Sequence, residues 1–86
     1  MATQVKYYRV GTPTVNIPHA QVCTNANTIP LANLGGCILT QVFIDASLIA
    51  PTSTGGYTYN QTMDELDFTG YGGVADVNVA VYYYEN

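Results

Sequence analysis

The chain has 86 residues, enough for one domain with one core; 48% are hydrophobic and only 9% are charged, against about 25% in an average globular chain. One lysine, one arginine and a formal net charge of −4 leave too few cations to bind a nucleic-acid backbone or an anionic membrane surface. No apolar run approaches the roughly 18 residues of a transmembrane helix. From the shortage of cations and of long apolar runs, we expect neither nucleic acid nor a membrane as a partner.

The N-terminal third is predicted to form short strands. Side chains alternate in polarity from Thr3 to Val10, and the tyrosines and valines there favour strands. Two further short strands are predicted at 14–17 and 20–23, on either side of Pro18, which cannot donate a ladder hydrogen bond. The asparagines and the proline of 24–34 predict a loop.

Residues 37–44 are the most apolar stretch of the chain. Strict alternation fails there, which predicts a strand that is buried on both faces or lies at the centre of a two-layer fold. After a bend at Asp45, residues 46–50 either continue the strand or form a helical turn. A loop containing proline and glycine is predicted at 51–56, and another strand at 57–61.

The C-terminal segment contains one ambiguous stretch and the clearest strand. Residues 62–68 include Thr62 and Glu65 at the spacing of a helix capping box, which allows one short helical turn. Residues 74–85 alternate strictly, with the odd-numbered valines predicted to face the core and the even-numbered side chains, among them Asp76 and Asn78, to face away from it.

These segments predict a single all-β domain over residues 1–86, a small antiparallel β-sandwich or barrel of six to eight short strands. A domain of this size is marginal by its core alone and usually gains from a disulfide, a metal or a partner chain. The residues predicted to be mostly buried come from the two strongest strands: Ile38, Leu39, Val42, Phe43, Val77, Val79 and Val81.

The residues give little support to catalysis. A nucleophile needs a base beside it, and His19, the one histidine, follows Pro18 in a predicted turn with no partner near it in sequence. Cys23 and Cys37 with a single histidine cannot complete a four-ligand zinc site. We therefore expect a protein that is not an enzyme and has no cofactor. The two cysteines are predicted to be free, buried thiols, with a disulfide as the alternative.

Asp64, Glu65 and Asp67 are the one concentration of charge. They lie on a single short segment, so they do not supply the two facing carboxylates of a glycosidase. Oxygen ligands from a flexible loop near glycines suit calcium, but the spacing differs from that of an EF-hand loop. A solvated acidic turn is the prediction, and a calcium site at these three residues is the minority alternative.

The eight tyrosines, against two phenylalanines and no tryptophan, are the strongest indication of function. In an alternating strand, one of two adjacent tyrosines faces outward, where it offers rigid contact area with a polar tip. Tyr7, Tyr8, Tyr82 and Tyr84 are therefore the predicted interface residues, with the alternative that these rings cover the ends of the sandwich as lids. Many tyrosines beside few charges are typical of a contact surface.

These features predict a non-catalytic structural subunit, a homo-oligomer or a component packed against a larger protein lattice. A virus or phage particle suits such a domain, as a capsid decoration, minor capsid or fibre protein, and the expected location is then the virion. The N-terminal residues lack the charged start and apolar stretch of a secretory signal, so the cytoplasm is the other expected location. The alternative function is a small tyrosine-rich carbohydrate-binding module, and a small enzyme comes third.

Overall fold

The computed structural model describes residues 3–11, 20–23, 27–31 and 38–84, and apart from one 3-10 turn (Thr69–Tyr71) the regular structure there is all strand. The strands are β1 Thr3–Val10, β2 Gln21–Cys23, β3 Thr28–Pro30, β4 Ile38–Ile44, β5 Ser47–Ile49, β6 Thr58–Asn60, β7 Glu65–Asp67 and β8 Val77–Tyr84. The predicted all-β fold is confirmed. The predicted strand at 14–17, together with Pro18, His19 and Cys37, lies outside the described residues.

The strands form two sheets that pack as a small sandwich. The larger sheet has the order β2-β1-β8-β4-β5, with β8 at its centre, and the smaller sheet has the order β3-β7-β6. β8 pairs antiparallel with both β1 and β4. Within the described residues one pair departs from the predicted antiparallel arrangement, because β2 runs parallel to β1.

The core lies between the two sheets and consists of one cluster of side chains. The smaller sheet and its flanks contribute Ile29, Leu31, Leu66 and Phe68, which have no exposed surface. The larger sheet contributes alternate residues of each strand, as the two-residue period of a strand requires. These are Tyr8, Val10, Cys23, Val42, Ile44, Ile49, Val79, Val81 and Tyr83.

Most of the residues predicted to be buried are confirmed as core residues, and for two of them the prediction is wrong. The residues that lie in the cluster or pack against it are Val42, Val79, Val81, Leu39 and Val77. Ile38, by contrast, is 51% exposed, and Phe43 is only half-buried. The register explains both corrections, because Ile38 is paired with Tyr84 and Phe43 with Ala80, on the side of β8 that points away from the core.

A β-bulge in β4 explains why its alternation fails. The pairing of β4 with β8 shifts by one residue between Leu39 and Gln41, so that Thr40 is an extra residue. Before the bulge an odd-numbered residue, Leu39, faces the core, and after it the even-numbered Val42 and Ile44 do. β4 is therefore buried on one face, which corrects the predicted burial on both.

Two segments predicted as irregular or ambiguous contain strands. β3 lies within 24–34, which the sequence predicts as a loop, and β7 lies within 62–68, where the capping-box spacing allows a helical turn. The two strands pair with each other and place Ile29 opposite Leu66, so that both side chains are buried. Three residues are too few to show a period, and here the contact with a partner strand decides the conformation.

Tyr8 is fully buried, and its hydroxyl has no hydrogen-bond partner among the described residues. Burial is the main cause that raises the pKa of this phenol well above its usual value, with Cys23, Tyr83 and Asp64 adding to it. An unsatisfied buried hydroxyl costs about 1–3 kcal/mol, so Tyr8→Phe is expected to raise the free energy of unfolding by about 1 kcal/mol. Urea denaturation measures this change, and a loss of stability would show that the hydroxyl is bonded in solution.

Candidate functional site

The candidate site is the face of the larger sheet that points away from the core, called the outer face below. It consists of the residues that alternate with the core residues along each strand: Thr3, Val5, Tyr7, Arg9, Val22, Ile38, Gln41, Phe43, Leu48, Asn78, Ala80, Tyr82 and Tyr84. The smaller sheet packs on the other side of the larger one, so no described strand covers the outer face.

Aliphatic side chains on the outer face are left in water. Leu48 is 60% exposed, Ile38 51%, Val22 47% and Val5 38%. Single exposed apolar residues are ordinary on a folded protein. These four lie on four different strands of one face, so apolar surface is exposed across its whole width, and exposed apolar surface of this extent marks interaction sites.

Four half-buried aromatic rings lie on the same face, those of Tyr7, Phe43, Tyr82 and Tyr84. The rings of Phe43 and Tyr82 meet edge to face, with their centroids 5.5 Å apart. Ala80 lies at the same level of the ladder as Tyr7 and Phe43, and its small side chain leaves space between the larger ones. The result is an open groove of about 580 Å³ that crosses β1, β8 and β4.

A tight turn forms one end of the groove. Asp45 and Ala46 are the two loop residues of the β4–β5 hairpin, and both have positive φ (47° and 71°), as a type I′ turn requires. The predicted bend at Asp45 is thus a hairpin turn, and 46–50 contains strand β5 rather than a helical turn. Two hydrogen bonds of 2.9 Å fix Asp45 to β8: its N–H donates to the carbonyl oxygen of Asn78, and its carboxylate accepts from the N–H of Asn78.

Three of the four predicted interface tyrosines lie on the outer face. Tyr7, Tyr82 and Tyr84 all alternate away from the core. Tyr8 is a correction: it has no exposed surface, because the register pairs it with Val79 on the core side of β8. A side chain in that position has no surface to offer a partner.

The sequence analysis predicts neither the aliphatic residues nor the phenylalanine of the outer face as site residues. Val22 and Leu48 are single apolar residues in three-residue strands, and Val5 lies in a strand with apolar residues on both faces. Ile38 and Phe43 belong to the stretch predicted as core. The signal that identifies them is the pairing register. A shift of one residue in the pairing moves every following side chain of a strand to the opposite face of the sheet. The bulge of β4 introduces such a shift, so the sequence pattern alone does not show which residues after the bulge face outward.

The three acidic residues do not come together as a calcium site. The hydroxyl of Tyr59 donates to Asp64 (2.7 Å), and Glu65 and Asp67 lie on the polar face of the smaller sheet. The pKa of the Asp67 carboxyl is lowered by hydrogen bonds with the side chain and the backbone N–H of Thr69, the latter at 2.8 Å. Within 3–11, 20–23, 27–31 and 38–84, no three His, Cys, Asp or Glu side chains are placed to hold a metal ion.

Cys23 is a free thiol, buried in the core at the edge of the larger sheet. Its burial raises the pKa of the thiol, which disfavours the reactive thiolate form. The free, buried state agrees with the prediction for this cysteine. Cys23 is therefore part of the packing and offers no nucleophile at the surface.

Two further findings bear on the site. No helix in the described part of the chain is long and apolar enough to cross a membrane. Comparison of the chain with protein-family models, curated proteins and solved structures finds no match. What the outer face does is therefore inferred from its own residues.

Proposed function

We propose that this chain is a non-catalytic structural subunit, and that the outer face is the surface through which it packs against other protein chains. The observation that supports this most is the exposure of Val22, Ile38 and Leu48 beside half-buried rings, on a sheet whose other side already holds the core. Each Å² of apolar surface removed from water contributes about 25 cal/mol. Covering this face with another chain therefore stabilises both chains.

The assembly that we propose is a virus or phage particle, with this chain as a capsid decoration, minor capsid or fibre protein. Only 9% of its residues are charged, so the chain lacks the mixed surface charge that keeps a free monomer soluble. In a lattice, neighbouring chains cover that surface, and the protein acts in the virion. Assembly also stabilises a small domain, because partners bind the folded chain and not the unfolded one.

The groove supports a second candidate function, a carbohydrate-binding module. Its volume of about 580 Å³ lies within the roughly 300–1,000 Å³ of small-molecule sites. The rings of Tyr7, Phe43 and Tyr82 offer apolar surface for the C–H groups of a sugar, and Asp45 and Asn78 offer polar groups at one end. This function requires an uncovered outer face, so it competes with the first.

Sedimentation of the purified chain tests the proposal. We expect a species heavier than one chain, or a chain that stays bound to a particle from its native source. Tyr82→Ser combined with Tyr84→Ser should release folded monomers, because both side chains point away from the core. A monomeric wild-type chain at high concentration, with no particle recovered from the source, contradicts the proposal and favours the carbohydrate-binding module.

Tyr71→Ser is the matched control. Tyr71 is 42% exposed and lies in the 3-10 turn, so it is not part of the outer face. Its replacement removes an exposed ring and should leave the sedimentation unchanged. Dissociation of this variant to the same extent would place the contact elsewhere on the molecule.

A further inference from the structure

The outer face is close to neutral, in a chain whose net charge is −4. Among the described residues that the ladder directs to this face or that line its groove, Arg9 is the one cation and Asp45 the one anion. Two copies of an acidic chain repel each other through most of their surfaces. The outer face lacks that repulsion, and its apolar residues favour contact.

The pairing register places Arg9 and Asp45 at the same level on opposite sides of β8. Arg9 is paired with Asn78 in the β1–β8 ladder. On the other side of β8, Ile44 is paired with Val79, and Asp45 follows it at the level of Asn78, to which its two hydrogen bonds fix it. Asn78 thus lies between an arginine and a carboxylate.

We propose that a second copy of this chain packs face to face on the outer face, related by a two-fold axis that runs along β8, so that Arg9 of each copy contacts Asp45 of the other. Rotation about such an axis lays β1 of one copy over β4 of the other and keeps each residue at its own level. In a two-fold interface every contact is made twice, so both ion pairs form together. The inference rests on the proposed function, since it names the partner of the same surface.

The neighbouring levels of the ladder agree with this arrangement. Tyr7 on β1 and Phe43 on β4 are both paired with Ala80, so the rotation lays Tyr7 of one copy over Phe43 of the other. Aromatic pairs of this kind are favourable beyond the area that they bury. The groove over Ala80 crosses the axis and becomes enclosed between the two copies, with the ion pairs at one end.

The outer face approaches the size that a stable dimer needs. The 29 residues of its five strands, each covering about 4.8 by 3.4 Å, give it a footprint of roughly 500 Å². This footprint of roughly 500 Å² per copy understates the accessible area, because the side chains project from the sheet. A stable interface needs about 1,200 Å² in total over both copies.

The two charged side chains are placed to form this contact. In the described part of the chain, no salt bridge joins Arg9 to Asp45, and the one described hydrogen bond of the Arg9 guanidinium is to the adjacent carbonyl oxygen of Val10, at 3.3 Å. One oxygen of Asp45 accepts from the N–H of Asn78, which orients the carboxylate and leaves its other oxygen for a partner. The planar guanidinium of arginine is suited to contact a carboxylate.

The arrangement is tested by reversing the charge at each of the two positions and measuring the dimerisation constant by sedimentation equilibrium. Arg9→Asp brings two carboxylates together at each contact, and Asp45→Arg brings two guanidinium groups together. Each variant alone should therefore dimerise about tenfold more weakly than the wild-type chain, or weaker still. An equimolar mixture of the two should recover wild-type affinity as a heterodimer, because both of its contacts again join opposite charges.

Two further variants control for net charge and for folding. Thr54→Asp combined with Gln61→Asp adds the same negative charge as Arg9→Asp at two exposed positions off the outer face, and should dimerise like the wild-type chain. If Asp45→Arg fails to fold, Arg9→Asp combined with Asp45→Asn tests the same contact. The amide keeps an oxygen for the N–H of Asn78 and removes one of the facing charges, so this variant should dimerise more strongly than Arg9→Asp alone.

The outcomes separate this inference from the proposed function. A wild-type dimer that Arg9→Asp leaves unchanged, or that the mixture of variants fails to recover, overturns the two-fold arrangement and leaves the structural-subunit proposal standing. A chain that is monomeric by itself but bound to a particle of other proteins overturns the second copy as the occupant. A monomeric wild-type chain without any particle overturns both.

Discussion

Phe68→Ala is expected to lower the free energy of unfolding by about 3–5 kcal/mol, the usual cost of truncating a buried phenylalanine. Phe68 has no exposed surface, and its ring centroid lies 6.2 Å from that of Tyr57. Its ring thus fills the core where the smaller sheet meets the 3-10 turn. Since small domains have total stabilities of about 5 kcal/mol or somewhat more, the isolated variant should retain only marginal stability. Circular dichroism during urea denaturation measures the loss.

Phe43→Ala is the matched control, because it makes the same substitution on the outer face. Phe43 is half-buried and loses its edge-to-face contact with Tyr82, worth about 0.5–1.5 kcal/mol beyond the area it buries. At a concentration where the chain is monomeric, this loss should be clearly smaller than that of Phe68→Ala. Equal losses would mean that the core extends across the larger sheet to the outer face.

Gly56→Ala is expected to cost about 1–3 kcal/mol through overpacking, and about 1 kcal/mol more for each backbone hydrogen bond that is broken. Gly56 is buried, and a Cβ there would overlap the carbonyl oxygen of Ala50. That oxygen accepts from the N–H groups of Thr52 (2.9 Å) and Tyr57 (3.1 Å). The loop therefore cannot move away from the new methyl group without disturbing these bonds. Thermal unfolding should show a lower melting temperature.

Gly55→Asn serves as the comparison for this substitution. Gly55 is adjacent, has a φ of 75°, and has no atom within 4 Å of the position that a Cβ would take. Asparagine tolerates the left-handed conformation better than most residues, so the variant should be close to neutral. If both variants lose the same stability, the sensitivity belongs to the loop as a whole and not to the overlap with Ala50.

Strands that keep a period of two over many residues could be predicted from this sequence. β1 and β8 have eight residues each, which is long enough for alternation to show. β3, β5, β6 and β7 have three residues each, and such short segments become strands through the partners that pair with them. The extra residue Thr40 conceals the alternation of β4, so the strand is predicted to be buried on both faces and Phe43 to be mostly buried.

The same physical limits decide which residues of the candidate site could be predicted from the sequence. The valines of β8 all lie on one side, so they identify the core side and place Tyr82 and Tyr84 correctly on the other. In β1, Val5 lies on the outer face and Val10 in the core, so apolar residues mark both faces of that strand. Nothing in the strand itself then distinguishes Tyr7 from Tyr8, and the pairing with β8 decides between them.

The position of β8 also governs when the larger sheet can form. Val77–Tyr84 lies C-terminal to the other seven described strands, yet both β1 and β4 bond to it. During synthesis, β1 and β4 therefore stay without their shared neighbour until β8 has emerged from the ribosome. Pairing between strands that are far apart in sequence makes folding slow. Until β8 is available, the unpaired apolar strands are prone to aggregate. The yield of soluble chain should consequently depend on how quickly β8 reaches β1 and β4.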